Sequence, residues 1–155
     1  MSWSLSLGRI AGIRIYVHFT FFLLLAFLGL AEGISSGRWD LAAGRLILFV
    51  CLAVIIVLHE LGHALAARYY GIRTRDITLL PIGGVARLER MPEKPLQELV
   101  VAIAGPAVNV VLAGICLVEI VISGALIGPE ELVSFEGNLL VQLLKINVGL
   151  VLFIM

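Results

Sequence analysis

Leu46 to Leu58, LILFVCLAVIIVL, is a run of thirteen uncharged residues that leads directly into His59. Extended to Tyr70, this stretch exceeds the roughly 20 mainly apolar residues that cross a bilayer as a helix. Three further apolar stretches accompany it, at Ile15–Ala31, Leu99–Ile127 and Leu139–Met155. The first of these is just long enough to span. The last is of marginal length and carries Lys145. Hydrophobic residues make up 61% of the chain and charged residues only 14%, against about a quarter charged in a soluble domain. That balance excludes a water-soluble globule and predicts a multi-pass membrane protein. A formal net charge of zero leaves no basic surface for nucleic acid. Arg9 and Arg14 precede the first stretch as they would in a signal peptide. Its apolar run exceeds the usual 7–15 residues, however, and AEGISS is a poor cleavage site, so it reads as a retained helix. Cys51 and Cys116 both lie in apolar stretches and read as packing residues.

Basic residues set the expected orientation. Arg9 and Arg14 lie before the first span, and Arg68, Arg73, Arg75, Arg87, Arg90 and Lys94 lie between the second and third. The last loop has only Glu130, Glu131 and Glu136. The leader and the second loop are therefore expected in the cytoplasm and the last loop outside. SWSLSL alternates with the period of a strand, and RDITLLPIGGVARLE holds two β-leaning runs around Pro81, Gly83 and Gly84. RMPEKPLQ reads as a Pro-broken linker. The expected fold is a single unit over 1–155, an all-α multi-pass membrane protein of about four transmembrane helices. A small hairpin or sheet caps its cytoplasmic face, with an irregular loop as the alternative for that region.

The segment HELGH interrupts the apolar pattern. On a helix His59 and His63 lie on one face, one turn apart. Two imidazoles at that spacing can hold one Zn²⁺. Glu60 can then reach water at the ion without being a ligand and serve as general base. Ionisable groups at membrane depth each cost about 2.5–3.5 kcal/mol on insertion scales. A bound metal compensates all three residues at once, and a hydrogen-bonded structural cluster is the alternative. His59 is 13 residues past Leu46, or about 20 Å along the axis, which places it about 10 Å inside the cytoplasmic edge. Gly71 is placed to end the helix, and Gly62 and Ala64 leave room for another backbone. In the third stretch, Gly105-Pro106 is expected to kink or open the helix and to set Asn109 at the depth of the histidines. Asn109 reads either as a group facing the metal site or as interhelical glue. His18 reads as an interfacial or hydrogen-bonded residue, and Glu119 and Lys145 as paired or snorkelling groups.

HELGHALAARYYGIRTRDITLLPIGGVARLE followed by EKPLQELVVAIAGPAVNVVLA resembles the prokaryotic branch of the site-2 protease family of intramembrane zinc metalloproteases. The leader GIRIYVHFTFFLLLAF resembles that branch as well, and the likeness runs from residue 8 to about 153. The resemblance implies Zn²⁺ held by His59 and His63, Glu60 as general base, and hydrolysis of a peptide bond in or beside a substrate's transmembrane segment. It implies that Asn109, with Gly105 and Pro106, lines the site. It also implies strands around Gly83 and Gly84 near the site, whose edge an extended substrate could join. The family's third zinc ligand is an aspartate in an Asp-Gly motif after the fourth span. Here KINVGLVLFIM resembles the approach to that motif, and the expectation is a chain that stops before it, without the later helices or the nucleotide-sensing domains of some members. The expected partners are the bilayer and a transmembrane protein substrate. The runner-up is an inactive membrane binding protein with the same fold, followed by a metal or proton transporter using the same histidines.

Overall fold

The structure, a computed structural model, describes residues 3–90, 92, 94–124 and 138–154. Strands β1 (Ser4–Ile10) and β2 (Ile13–His18) lead into helices α1 (Phe19–Ser36) and α2 (Trp39–Tyr69). Strands β3 (Thr74–Leu80) and β4 (Gly83–Leu88) then precede α3 (Pro95–Ile122) and α4 (Leu139–Ile154). α1, α2 and α3 are long and apolar enough to cross a membrane. α4 is a shorter apolar helix of 16 residues. Among the described residues three helices are long and apolar enough to span, and the expected fourth is not shown.

Local chemistry explains most boundaries. His18 caps α1, its Nδ1 accepting from the Thr20 amide at 3.4 Å and lying 2.8 Å from the Thr20 hydroxyl. This role satisfies the expectation of a hydrogen-bonded histidine. It also corrects the first apolar stretch: Ile15 to His18 belong to β2, and the helix starts only at Phe19. These residues are apolar because β2 buries Ile13, Ile15 and Val17 against α2, a period-2 pattern overlooked beside a long apolar run. α2 begins at Trp39, one residue after a turn in which Gly37 takes φ 65°. Arg45 then pairs with Glu32 of α1 at 2.5 Å, just before the uncharged run begins. Gly71, at φ 74°, ends α2 as expected. α3 runs without a break through Pro106, so the expected opening of the helix there does not occur. The end of the third apolar stretch, the glutamates of the last loop and parts of RMPEKPLQ lie outside the described residues.

The β-structure is more extensive than a cap. One four-stranded sheet has the order β1-β2-β3-β4. β1–β2 and β3–β4 are antiparallel hairpins, and β2–β3 is a parallel pair bridged by α1 and α2. Ala11 and Gly12 take φ 50° and 82°, the conformation of a two-residue hairpin turn whose twist matches its strands. Arg68, in the last turn of α2, donates to the Ala11 carbonyl at 2.9 Å and ties this tip to the helix. The sheet's inner face lies lengthwise on α2. Val17 and Leu79 meet Ala53; Ile13, Ile15 and Ile77 meet Leu61 and Ala64. The strand pairing puts the leader and the loop between α2 and α3 at the same end of the helices.

Candidate metal centre

Helix α2 carries His59, Glu60 and His63, and α3 packs closely across it. Two glycines permit the approach. A Cβ on Gly62 would lie 2.6 Å from the Ala104 carbonyl oxygen and 2.8 Å from Val108. A Cβ on Gly105 would fall on the Nε2 of His63, and would lie 2.7 Å from the Nε2 of His59. Ala64 is fully buried and packs against Ile13, Ile15 and Ile77 of the sheet.

The two imidazoles present the same nitrogen to one point. Their Nε2 atoms are 3.1 Å apart, and the rings are tilted 78° to each other. On the far side of its ring, Nδ1 of His63 lies 2.7 Å from the carbonyl oxygen of Val101. A carbonyl can only accept, so Nδ1 carries the proton and Nε2 keeps a lone pair. Val101 and Gly105 are one turn apart on α3. The same helix therefore fixes the tautomer of His63 and clears the space in front of it. This second-side tether is the usual means by which a metal-binding histidine is oriented. His59 is buried, and its Nδ1 has no hydrogen-bond partner among the described residues. Two bonds of about 2.0–2.1 Å to a single Zn²⁺ accommodate nitrogens at this separation. The pair fits a zinc site; among the described residues no third His, Cys, Asp or Glu gathers with it.

Glu60 points away from α3 and toward the sheet. A Cβ on Gly84 would lie 2.6 Å from the Glu60 Cγ and 2.9 Å from Ile56. β4 is an outer strand of the sheet, so an open strand edge passes within touching distance of the carboxylate arm. Gly83, by contrast, sits at the β3–β4 turn with φ 141° and open space around it. Asn109 is fully buried with its amide against the His59 ring, and neither amide atom makes a hydrogen bond of regular geometry among the described residues. Leaving such a group unpaired costs about 1–3 kcal/mol, so its natural partners are a water or a ligand in the site. Pro106 is buried on the same helical turn as Gly105.

Sequence reasoning missed the Val101 carbonyl, because a backbone acceptor leaves no side-chain signature. It also missed how closely β4 meets Glu60. The double glycine at Gly83-Gly84 was the available signal, but it reads equally well as a turn.

The geometry comes to a histidine pair and a carboxylate on one turn of an apolar helix, walled by a second apolar helix. The chain belongs to peptidase family M50, the site-2 protease family, whose model matches residues 47–152. It is 40% identical over 119 residues to a zinc metalloprotease of Methanocaldococcus jannaschii, covering 76% of this chain and 33% of that protein. It is 36% identical over 95 residues to stage IV sporulation protein FB of Bacillus subtilis, covering 61% of this chain and 29% of that one. The solved site-2 protease from Methanocaldococcus jannaschii superposes with a TM-score of 0.69 at 34% identity, covering 97% of this chain and 63% of that one. The chain thus spans about a third of the length of these two curated relatives. The family and the three apolar helices make this a membrane protein.

Proposed function

We propose that this chain forms the metal-binding core of an intramembrane zinc endopeptidase that hydrolyses peptide bonds within or beside transmembrane segments of protein substrates. The observation that carries the proposal is the convergence of the His59 and His63 Nε2 atoms at 3.1 Å with Glu60 on the same helical turn. His59 and His63 hold the ion; an aspartate, implied by the family resemblance, completes the set from outside the described residues. Bound zinc would supply a Lewis acid and lower the pKa of water toward 7. Glu60 accepts the proton of the attacking water and passes it to the leaving amine. The Asn109 amide hydrogen-bonds the substrate carbonyl or that water. An extended substrate adds to the open edge of β4 beside Gly84, where main-chain pairing holds the scissile bond near Glu60. Gly105 and Pro106 form the floor of the site. The shared sheet joins the leader to β3–β4, and the arginines of both segments support an orientation with that side in the cytoplasm.

The test uses the full-length protein in lipid nanodiscs, with zinc content and cleavage of a helical substrate as readouts. One zinc per chain and chelator-sensitive cleavage are expected. Cleavage that survives chelation would sink the reading, and bound zinc with substrate retained but uncut would favour the binding protein. Asn109→Ala is expected to lower turnover about 100-fold, the loss typical of a donor removed from a developing oxyanion. Zinc content should hold; unchanged turnover would make Asn109 a packing residue. Gly84→Val pushes directly on the Glu60 side chain. A shift of about 1 Å in a catalytic group costs about 100-fold, so turnover should fall while zinc stays bound. Zinc loss in that variant would show that β4 supports the ligands rather than the base.

A further inference from the structure

The direction of the main-chain groups of β4 follows from the turn that precedes it. Pro81-Ile82 joins Leu80 to its ladder partner Gly83. The alternative bonding pattern for this pair would need an N–H on Pro81, which has none, so Leu80 and Gly83 bond to each other directly. Bonded and non-bonded pairs alternate along an antiparallel ladder. Val85 with Thr78 and Arg87 with Asp76 are therefore bonded pairs, and Gly84 with Leu79 and Ala86 with Ile77 are not. Gly84 and Ala86 thus turn their N–H and C=O groups away from β3, toward the open edge of the sheet.

Glu60 reaches this edge. Its Cγ and Cδ pass 2.6 and 3.2 Å from the place a Cβ on Gly84 would take. Its carboxylate lies against the main-chain N–H of Ala86. The approach is looser than a regular hydrogen bond, and contacts to catalytic groups commonly tighten only in the Michaelis complex. Ala86 is held from the other side, where its methyl packs on the cluster of Ile13, Ile15, Leu61, Ala64 and Ile77. The donor is therefore fixed to the packed sheet, while the acceptor sits at the end of a flexible arm.

We propose that the Ala86 main-chain N–H is a positioning group for Glu60: it holds one carboxylate oxygen at the edge of β4 and leaves the other for the attacking water. This role rests on Glu60 acting as the general base, as proposed above. It also sets where a substrate joins the sheet. With the Ala86 N–H engaged by Glu60, Gly84 keeps a free main-chain donor and acceptor at the same edge. An extended substrate therefore pairs at Gly84, next to the carboxylate. The missing Cβ at Gly84 lets the Glu60 arm pass to reach Ala86.

The experiment converts one main-chain amide to an ester, with lactic acid incorporated in place of Ala86 in the full-length protein in nanodiscs. The change removes the N–H and keeps the methyl group and the ladder. A shift of about 1 Å in a catalytic group costs about 100-fold, so kcat should fall about 10–100-fold, with KM and zinc content unchanged. Ala86→Pro removes the same donor at an edge position, where proline is tolerated, and should give the same split. A second measurement reads the contact in the zinc-free protein. The Ala86 amide proton, followed by NMR of ¹⁵N-alanine-labelled protein, should move upfield in Glu60→Ala, which removes the acceptor. An ester with wild-type kcat overturns the proposal. So does a rise in KM with kcat intact, which would make this N–H a substrate-binding group, and so does loss of zinc, which would make it structural. An amide resonance that stays in place in Glu60→Ala also overturns it. Wild-type protein that binds zinc and cuts nothing would sink the proteolytic reading and this role together, whereas an active wild type with an equally active ester sinks this role alone.

Discussion

Glu60→Gln is expected to reduce peptide hydrolysis by at least about 100-fold, and up to about 10,000-fold, while zinc content stays at the wild-type level. The lower bound is the contribution of a single general base, and the upper bound is the top of the usual range. The substitution keeps the size and shape of the side chain, so its close approach to Gly84 persists and the helix does not move. What changes is basicity: an amide cannot take a proton from water at neutral pH. The histidine pair is untouched, because its orientation comes from the Val101 carbonyl and the α2–α3 crossing. The measurement is a pair of numbers on the same preparation, zinc by atomic absorption and cleavage rate in nanodiscs. Wild-type cleavage by the variant would remove Glu60 from the mechanism. Loss of zinc would make Glu60 part of the metal's support instead.

Gly105→Ala is expected to have the opposite signature, with zinc lost first and activity lost as a consequence. The added Cβ lands on His63 Nε2 and within 2.7 Å of His59 Nε2. The obstacle is two imidazole rings rather than a flexible side-chain tip. One of them is tethered on its other side to Val101, four residues earlier on the helix that carries the intruding methyl. Either α3 withdraws, and the Val101 hydrogen bond is lost, or the imidazoles rotate out of register. Disturbing such supporting contacts costs about 10–100-fold in metal affinity, and here two fail together, so a loss of at least about 100-fold is expected. Gly114→Ala is the control. It adds the same methyl to the same helix at a place where nothing lies within 4 Å, and it should leave zinc binding intact. Equal zinc affinity in the Gly105 and Gly114 variants would show that the histidines do not meet at the point assigned to them.

Much of the candidate site was legible before the fold. His59, Glu60 and His63 lie within one turn, and a helix forces residues four apart onto one face whatever surrounds it. The long uncharged runs made that helix and its membrane setting almost unavoidable. Asn109 was harder, since a polar residue in an apolar helix can be glue or machinery. In the structure it is completely buried beside the His59 ring. Where the reading failed, it failed on competing patterns. Ile15, Val17 and their neighbours form a strand with a buried face, but next to FTFFLLLAF they read as the start of a helix. Gly105-Pro106 was expected to kink or open α3; in the structure the helix continues through Pro106, and Gly105 makes room for the histidines.

The sequence by itself determined the elements that depend on neighbours along the chain: the apolar helices, the histidine spacing, the hairpin glycines and the stop at Gly71. Only the tertiary structure decided how distant parts meet. It joined the leader to the 71–94 loop through the parallel pair β2–β3, laid that sheet along α2 so that Gly84 abuts Glu60, and brought the Val101 carbonyl to His63. The reason is physical. Helix spacing and turn preferences are set by local sterics and hydrogen bonding, which residue type encodes directly. Strand partners and backbone acceptors are chosen by packing between segments far apart in sequence, and a main-chain carbonyl or the absence of a Cβ carries no chemical label until its neighbour is in place.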